Sequence, residues 1–281
     1  MQESIVFVLN ALTLISILAL VSLGLFVVFG LTNVVNLAHG EFVTIGAYVL
    51  VAVQLVGGSY WIALAVAPAV GAVVGYAIER FVIRGLHGNA GATILSTWGL
   101  SLILQQALQF SFGSSPQAAS GPFVGIISLG EVSYPAYRFF LIIVASTIFA
   151  FVLFLVYYTD LGLNMRALIQ NNELARTLGI DPKRVTAIAF SVGGAAAAVA
   201  GVLIAPLTVV IAQIGVNYLA RSFLLVLVAG VRNPAGILTA TIIFGGLETA
   251  LHSFLPPTLA QAVVLLLCVL FMGRARYGTT G

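Results

Sequence analysis

Charge is the scarcest component of this 281-residue sequence: Asp, Glu, Lys and Arg together make up 7% of it, where an ordinary soluble domain carries about 25%. That scarcity excludes a conventionally solvated globule. The 11 basic and 8 acidic residues leave a formal net charge of +3 and are too scattered to form the electrostatic footprint of a nucleic-acid binder. Cysteine is nearly missing as well, since Cys268 alone supports neither a disulfide framework nor a thiolate metal site. A Walker lysine loop, a nucleophile elbow, a dinucleotide fingerprint and a plausible metal-ligand set are all lacking. No catalytic or metal-binding residue is therefore assigned, and any active transport must draw its energy from a partner or an ion gradient. The N-terminus lacks the basic region of a cleaved signal, which predicts that its apolar run is retained as a first span.

What is abundant is apolar surface, at 61% of residues. A spanning helix needs about 20 mainly apolar residues, and the runs Ile5–Leu31, Phe42–Val56, Tyr60–Ile78, Ala90–Phe112, Phe139–Tyr158, Val185–Leu207, Tyr218–Val231, Gly236–Phe254 and Thr258–Met272 approach that length. The pattern predicts an all-α polytopic transmembrane helix bundle of about eight to nine spans, forming one domain over residues 1–281. The second and seventh runs are short, as broken helices near a transport site are. A four-residue echo between Leu37–Gly40 and Leu219–Ser222, in spans of opposite direction, is the pattern of an inverted repeat.

Basic residues fix the expected orientation, because Lys and Arg accumulate in cytoplasmic loops. Arg80 and Arg84, then Arg166, Arg176, Lys183 and Arg184, then Arg274 and Arg276 fall on one side if there are nine spans. The expectation is an N-terminus outside, a C-terminus in the cytoplasm, an external Gly/Ser/Pro-rich loop over 113–137, and a cytoplasmic segment over 160–184. In that segment Leu168, Leu174 and Leu178 fit one helical face, with Glu173 and Arg176 offset from it and Asp181-Pro182 ending the helix.

Three polar constellations interrupt the apolar runs. Thr93, Thr97, Ser101, Gln105 and Gln109 recur every four residues, so at about 100° per residue they form one slowly spiralling stripe. Such a stripe either lines a wetted pathway or hydrogen-bonds to neighbouring helices. Asn33, Asn36, His39 and Glu41 cluster between the first two runs, either as a discontinuous helix shaping the pathway or as a helix cap, Asn36 being the candidate cap, within a packing knot. Glu41 must be paired, protonated or near the interface, because a charge at the bilayer centre costs about 2.5–3.5 kcal/mol on insertion scales. Glu248 and His252 stand one turn apart, with Arg221 at a matching depth, as a structural clasp between helices or a proton relay. The small-residue run Gly193–Gly201 is read as a close helix-packing face.

Several separated motifs resemble the permeases of branched-chain amino acid ATP-binding cassette importers. They are Asn33–Phe42 with Gly46-Ala47-Tyr48, Gly162-Leu163 with Met165-Arg166-Ala167, Glu173 with Ala175, Leu178-Gly179-Ile180, and Ala200–Leu203. The resemblance covers nearly the whole chain. It implies a bacterial inner-membrane complex with a second related permease, two cytoplasmic ATPases that use ATP and Mg, and a periplasmic solute-binding protein, with no cofactor on this chain. It also implies that Glu173, Ala175 and Gly179, beside Arg176, sit on a helix that docks into the ATPase. Related permeases serve urea and short amides, and Trp98–Ser101, Gln105-Gln106 and Gln170-Asn171 look somewhat like that branch. The turn Ala229–Gly236 departs from the family pattern at Ala229 and Arg232. Two readings of other classes stand beside the importer: a stand-alone carrier or channel for a small polar solute, and a non-transporting scaffold.

Overall fold

The computed structural model describes residues 2–32, 35–86, 89–129, 132–230 and 234–277. In chain order the helices are α1 (Gln2–Thr32), α2 (His39–Leu55), α3 (Tyr60–Ile78) and α4 (Ala90–Phe112). After a hairpin of β1 (Ile126–Leu129) and β2 (Val132–Pro135) come α5 (Ala136–Tyr158), α6 (Asp160–Gln170), α7 (Asn172–Thr177), α8 (Pro182–Ile204), α9 (Ile214–Ala229), α10 (Pro234–Leu251) and α11 (Pro257–Tyr277). Each apolar run of the sequence has become a helix. The 113–137 stretch is less irregular than its composition predicts: Ile126 pairs with Pro135 and Leu129 with Val132 in an antiparallel ladder, because Ile126, Ile127 and Tyr134 carry strand-forming side chains within the Gly/Ser/Pro-rich loop.

Among the described residues, five helical stretches are long and apolar enough to cross a membrane: α1, α3 with its extension to Leu86, α5, α8 and α10. The sequence estimate of eight to nine spans exceeds this number. α4 has the length, at 23 residues, but its polar stripe dilutes its apolarity, while α2 and α9 are shorter. The latter two begin inside the bundle, as the length of their runs anticipates.

The core is built on α8, whose small-residue face admits α1, α2 and α3 to backbone contact. A Cβ on Gly24 would lie 2.8 Å from the Gly193 carbonyl oxygen and one on Gly193 2.6 Å from that of Gly24. Gly71 meets Gly194, and Gly46 meets Ala198, in the same way. Where both solvents are apolar, association rests on close van der Waals packing, so the packing reading of Gly193–Gly201 holds. Outward faces carry Leu95, Ile103, Phe151, Phe154 and Leu266, all exposed.

α5, 23 residues long and so about 35 Å at 1.5 Å per residue, separates two ends of the molecule. At its start lies the hairpin; at its finish lie α6 and α7. α3 approaches the second end through a π-helical turn, Glu79–Ile83, and a 3₁₀ turn, Arg84–Leu86. There the fully buried Glu79 is paired with Arg84 at 2.7 Å.

Candidate functional site

The most polar buried region is where α2 and α9 start. Ahead of α2, Asn36 Oδ1 accepts the Ala38 N–H at 3.0 Å, forming a turn that leads into the helix. The N-cap position belongs to Ala38, which offers no side-chain bond. Asn36 therefore acts two residues earlier than its sequence role as the cap. His39 is fully buried, its ring edge-on to Phe42 and within van der Waals reach of a Cβ built on Gly24, in the second half of α1. Asn33 lies outside the described residues.

α9 begins at the same depth. A Cβ on Gly40, in the first turn of α2, would stand 2.7 Å from the Gly215 carbonyl oxygen, in the first turn of α9. The Gly215 N–H donates to Thr44 Oγ1 at 3.1 Å. From this head-to-head contact α2 runs toward the loop that precedes the hairpin, where Gln54 is hydrogen-bonded to Ser120 at 2.7 and 2.9 Å. α9 runs the other way, packing Phe223 edge-on to Phe29. Two helix N-termini, each with partial positive charge from unpaired N–H groups, thus converge inside the bundle. A Cβ on Gly40 would also lie 3.1 Å from Leu219 Cβ, so the last residue of the Leu37–Gly40 segment and the first of Leu219–Ser222 meet at this junction.

Glu41 is the carboxylate at this convergence and is 1% exposed. Its Oε1 accepts from Ser101 Oγ at 2.7 Å and from Gln105 Nε2 at 2.8 Å, and Gln105 also reaches Ser101 at 3.1 Å. Glu41 Oε2 and Asn36 Nδ2 are buried without a hydrogen-bond partner among the described residues. The α4 stripe faces inward: Thr97 Oγ1 accepts the Leu37 N–H at 3.2 Å, and Thr93 Oγ1 donates to the Asn89 carbonyl at 2.9 Å. Gln106, beside the stripe, is exposed. The structure brings Asn36, His39, Glu41, Thr97, Ser101 and Gln105 to one locus and leaves Thr93 at the helix start.

The residues of the clasp also meet. Arg221 Nη1 lies 2.9 Å from Glu248 Oε1, and His252 Nε2 lies 3.9 Å from the same oxygen. Arg221 Nη2 donates to Gln261 Oε1 at 2.5 Å, tying α9 and α10 to α11.

Between α5 and α8 the single helix predicted over 160–184 is two. Asn171 breaks it, leaving helical geometry and accepting the Leu174 N–H at 3.0 Å as the N-cap of α7. Leu168 is buried whereas Leu174 and Leu178 are exposed, so the three leucines share no face. The end of α7 is set by Gly179, at φ +85°. Its N–H bonds the Arg176 carbonyl at 3.0 Å and the Ile180 N–H bonds that of Ala175 at 3.1 Å, the two bonds of a Schellman motif. Asp181-Pro182 opens α8 instead of ending the preceding helix, because Asp181 caps the Lys183 N–H at 2.9 Å and proline suits the first helical position. On α7 Ala175 is buried, while Glu173, Arg176 and Gly179 are exposed. Arg166 bonds the Val156 carbonyl at the end of α5, where a cation favours the helix dipole.

Sequence reading missed Thr44 and Gly215, whose contact is visible only in three dimensions. It also missed the network of Asn10, Thr13, Tyr134 and Arg138. Asn10 and Thr13, three apart within an apolar run, were its sequence signal.

The profile of the family described as "Branched-chain amino acid transport system / permease component" matches residues 7–272. The "High-affinity branched-chain amino acid transport system permease protein LivH" of Escherichia coli K12 is 29% identical over 94% of this chain and 91% of its own length. The similarly named BraD of Pseudomonas aeruginosa is 31% identical over 85% of this chain and 83% of its own. LivM of Escherichia coli K12, also named as a permease protein of that system, is 28% identical over 69% of this chain and 51% of its own.

Proposed function

The chain belongs to the branched-chain amino acid transport system permease family, and from that premise we propose that it is the membrane-spanning permease subunit of an ATP-driven importer for branched-chain or other hydrophobic amino acids. The observation that carries the reading is the family match over residues 7–272. The chain is not itself the enzyme; separate ATPases hydrolyse ATP with Mg. Similarity to both LivH and LivM supports a pair of related permeases, to which we add two cytoplasmic ATPases and a periplasmic solute-binding protein. Multi-pass residence in a bacterial inner membrane follows from the family and the apolar helices. We place 113–137 outside, 160–184 in the cytoplasm, and residues 1–281 in one permease domain.

The exposed Glu173, Leu174 and Arg176 on α7 and Leu178 just after it, with Ala175 and Gly179 holding its shape, form the surface that docks on the ATPase. α6 packs on α1, α5 and α8, so a push on α7 reaches the core helices, and the rigid bundle rocks between outward- and inward-facing arrangements. The junction of α2 and α9, with Asn36, His39, Glu41, Thr97, Ser101 and Gln105, lies on the route that opens and closes. Arg221, Glu248 and His252 brace α9, α10 and α11.

Replacing Glu173 by Lys tests the reading. In the assembled importer it abolishes solute-stimulated ATP hydrolysis and uptake while the variant purifies as the wild type does; unaltered uptake contradicts the proposal. Uptake of urea in place of leucine by the wild-type assembly transfers the substrate to the amide branch.

A further inference from the structure

At the hairpin end the bundle opens into a groove of about 760 Å³, separate from the Glu41 junction. The first half of α1 forms one wall with Phe7, Asn10 and Leu14; Leu207 and Arg138 contribute others, and Glu3 stands at the mouth. Arg138 is half-buried in the first turn of α5. Its Nη1 donates to Asn10 Oδ1 and, at 3.4 Å, to the Tyr134 hydroxyl, and its guanidinium lies 5.6 Å from the Tyr134 ring centroid. Tyr134 is itself bonded to Asn10 at 3.1 Å and to the buried Thr13 at 3.1 Å. The guanidinium is thus held firmly, yet among the described residues no carboxylate forms an ion pair with it.

A cation in the first turn of a helix sits against the positive end of the helix dipole. Both the side chain and the helix end therefore favour an anion in the groove. A guanidinium presents a planar fork that matches a carboxylate, and Phe7, Leu14 and Leu207 offer apolar surface beside it.

We propose that this groove is a binding site for a zwitterionic amino acid with an apolar side chain, with Arg138 as the partner of its carboxylate. The inference rests on the amino-acid reading above and narrows it, because a carboxylate gains a charge-assisted, two-pronged contact from the Arg138 guanidinium that an uncharged urea or amide does not. Glu3 lies seven residues, about 10 Å along α1, outward of Asn10, too far to share one head group with Arg138. Glu3 toward the start of α1 and Arg138 beside Asn10 orient the solute dipole, carboxylate inward.

The test is binding of radiolabelled leucine to the purified full chain in lipid nanodiscs, with three competitors. Leucine binds; 4-methylpentanoate, which keeps the carboxylate, competes, whereas isoamylamine and urea do not. Arg138→Gln weakens leucine binding by about tenfold or more, as loss of a charge-assisted contact does, and Arg138→Lys retains part of it. Leu207→Trp, at a partly exposed position, fills the groove and blocks binding without removing any charge, which keeps the test open should Arg138→Gln misfold. Wild-type affinity in a folded Arg138→Gln or Leu207→Trp, displacement of leucine by urea, or no leucine binding to the wild type overturns the proposal. ATP-dependent leucine uptake by the assembled importer is read separately. Uptake that persists undiminished in Arg138→Gln leaves the importer standing and removes only this site.

Discussion

Glu41 and Glu248 show two different ways in which a chain with so few charges holds a buried carboxylate. Glu41 is held by neutral donors on α4 at a convergence of positive helix ends, whereas Glu248 faces a full cation. The two sites respond differently to mutation. Glu41→Leu strands the Ser101 and Gln105 donors, and each buried group left unpaired costs about 1–3 kcal/mol; detergent-solubilised protein is expected to unfold at lower temperature, with Glu41→Gln intermediate. Glu248→Leu leaves Arg221 partly buried without its ion, a loss of about 3–5 kcal/mol for a pair of this kind. The double change Arg221→Met with Glu248→Leu is expected to regain most of that stability and full transport. Recovery of stability without transport assigns the pair a role in function and contradicts the clasp.

Among the elements, α2 and α9 were legible as short runs, and their meeting was not. Gly40 and Gly215 lie 175 positions apart (215 less 40), and nothing in either local sequence encodes the approach of their backbones. Gly215→Ala drives a Cβ into the Gly40 carbonyl, where backbone cannot move aside, and is expected to abolish recovery of monodisperse protein; normal yield argues against the contact. The α5–α8 connector was legible in its charge and aliphatic spacing but not in its break. Periodicity read Leu168, Leu174 and Leu178 as one stripe, whereas the competing tendency of Asn171 to bond its own backbone two to three residues on divided the helix. Asn171→Ala removes the α7 cap at a cost of about 1 kcal/mol. It is expected to lower the ATPase activity stimulated by solute without lowering leucine binding to the isolated chain; unchanged stimulation indicates that α7 needs no fixed shape.

For the whole molecule, composition alone was decisive about the environment and silent about the number of crossings. Lipid and protein interior are equally apolar, so hydropathy does not distinguish α8, buried at the centre, from α5 at the periphery, nor a helix that crosses from one that starts inside. The family match supports the proposed account of a permease bundle, with exposed α7 at one end and an open groove at the other. That account separates most cleanly from a stand-alone channel in proteoliposomes. With the chain alone, leucine flux should equal that of protein-free vesicles; with the second permease, the ATPases and the binding protein added, accumulation should depend on ATP. Leucine or urea flux through the chain by itself, without nucleotide, contradicts the account.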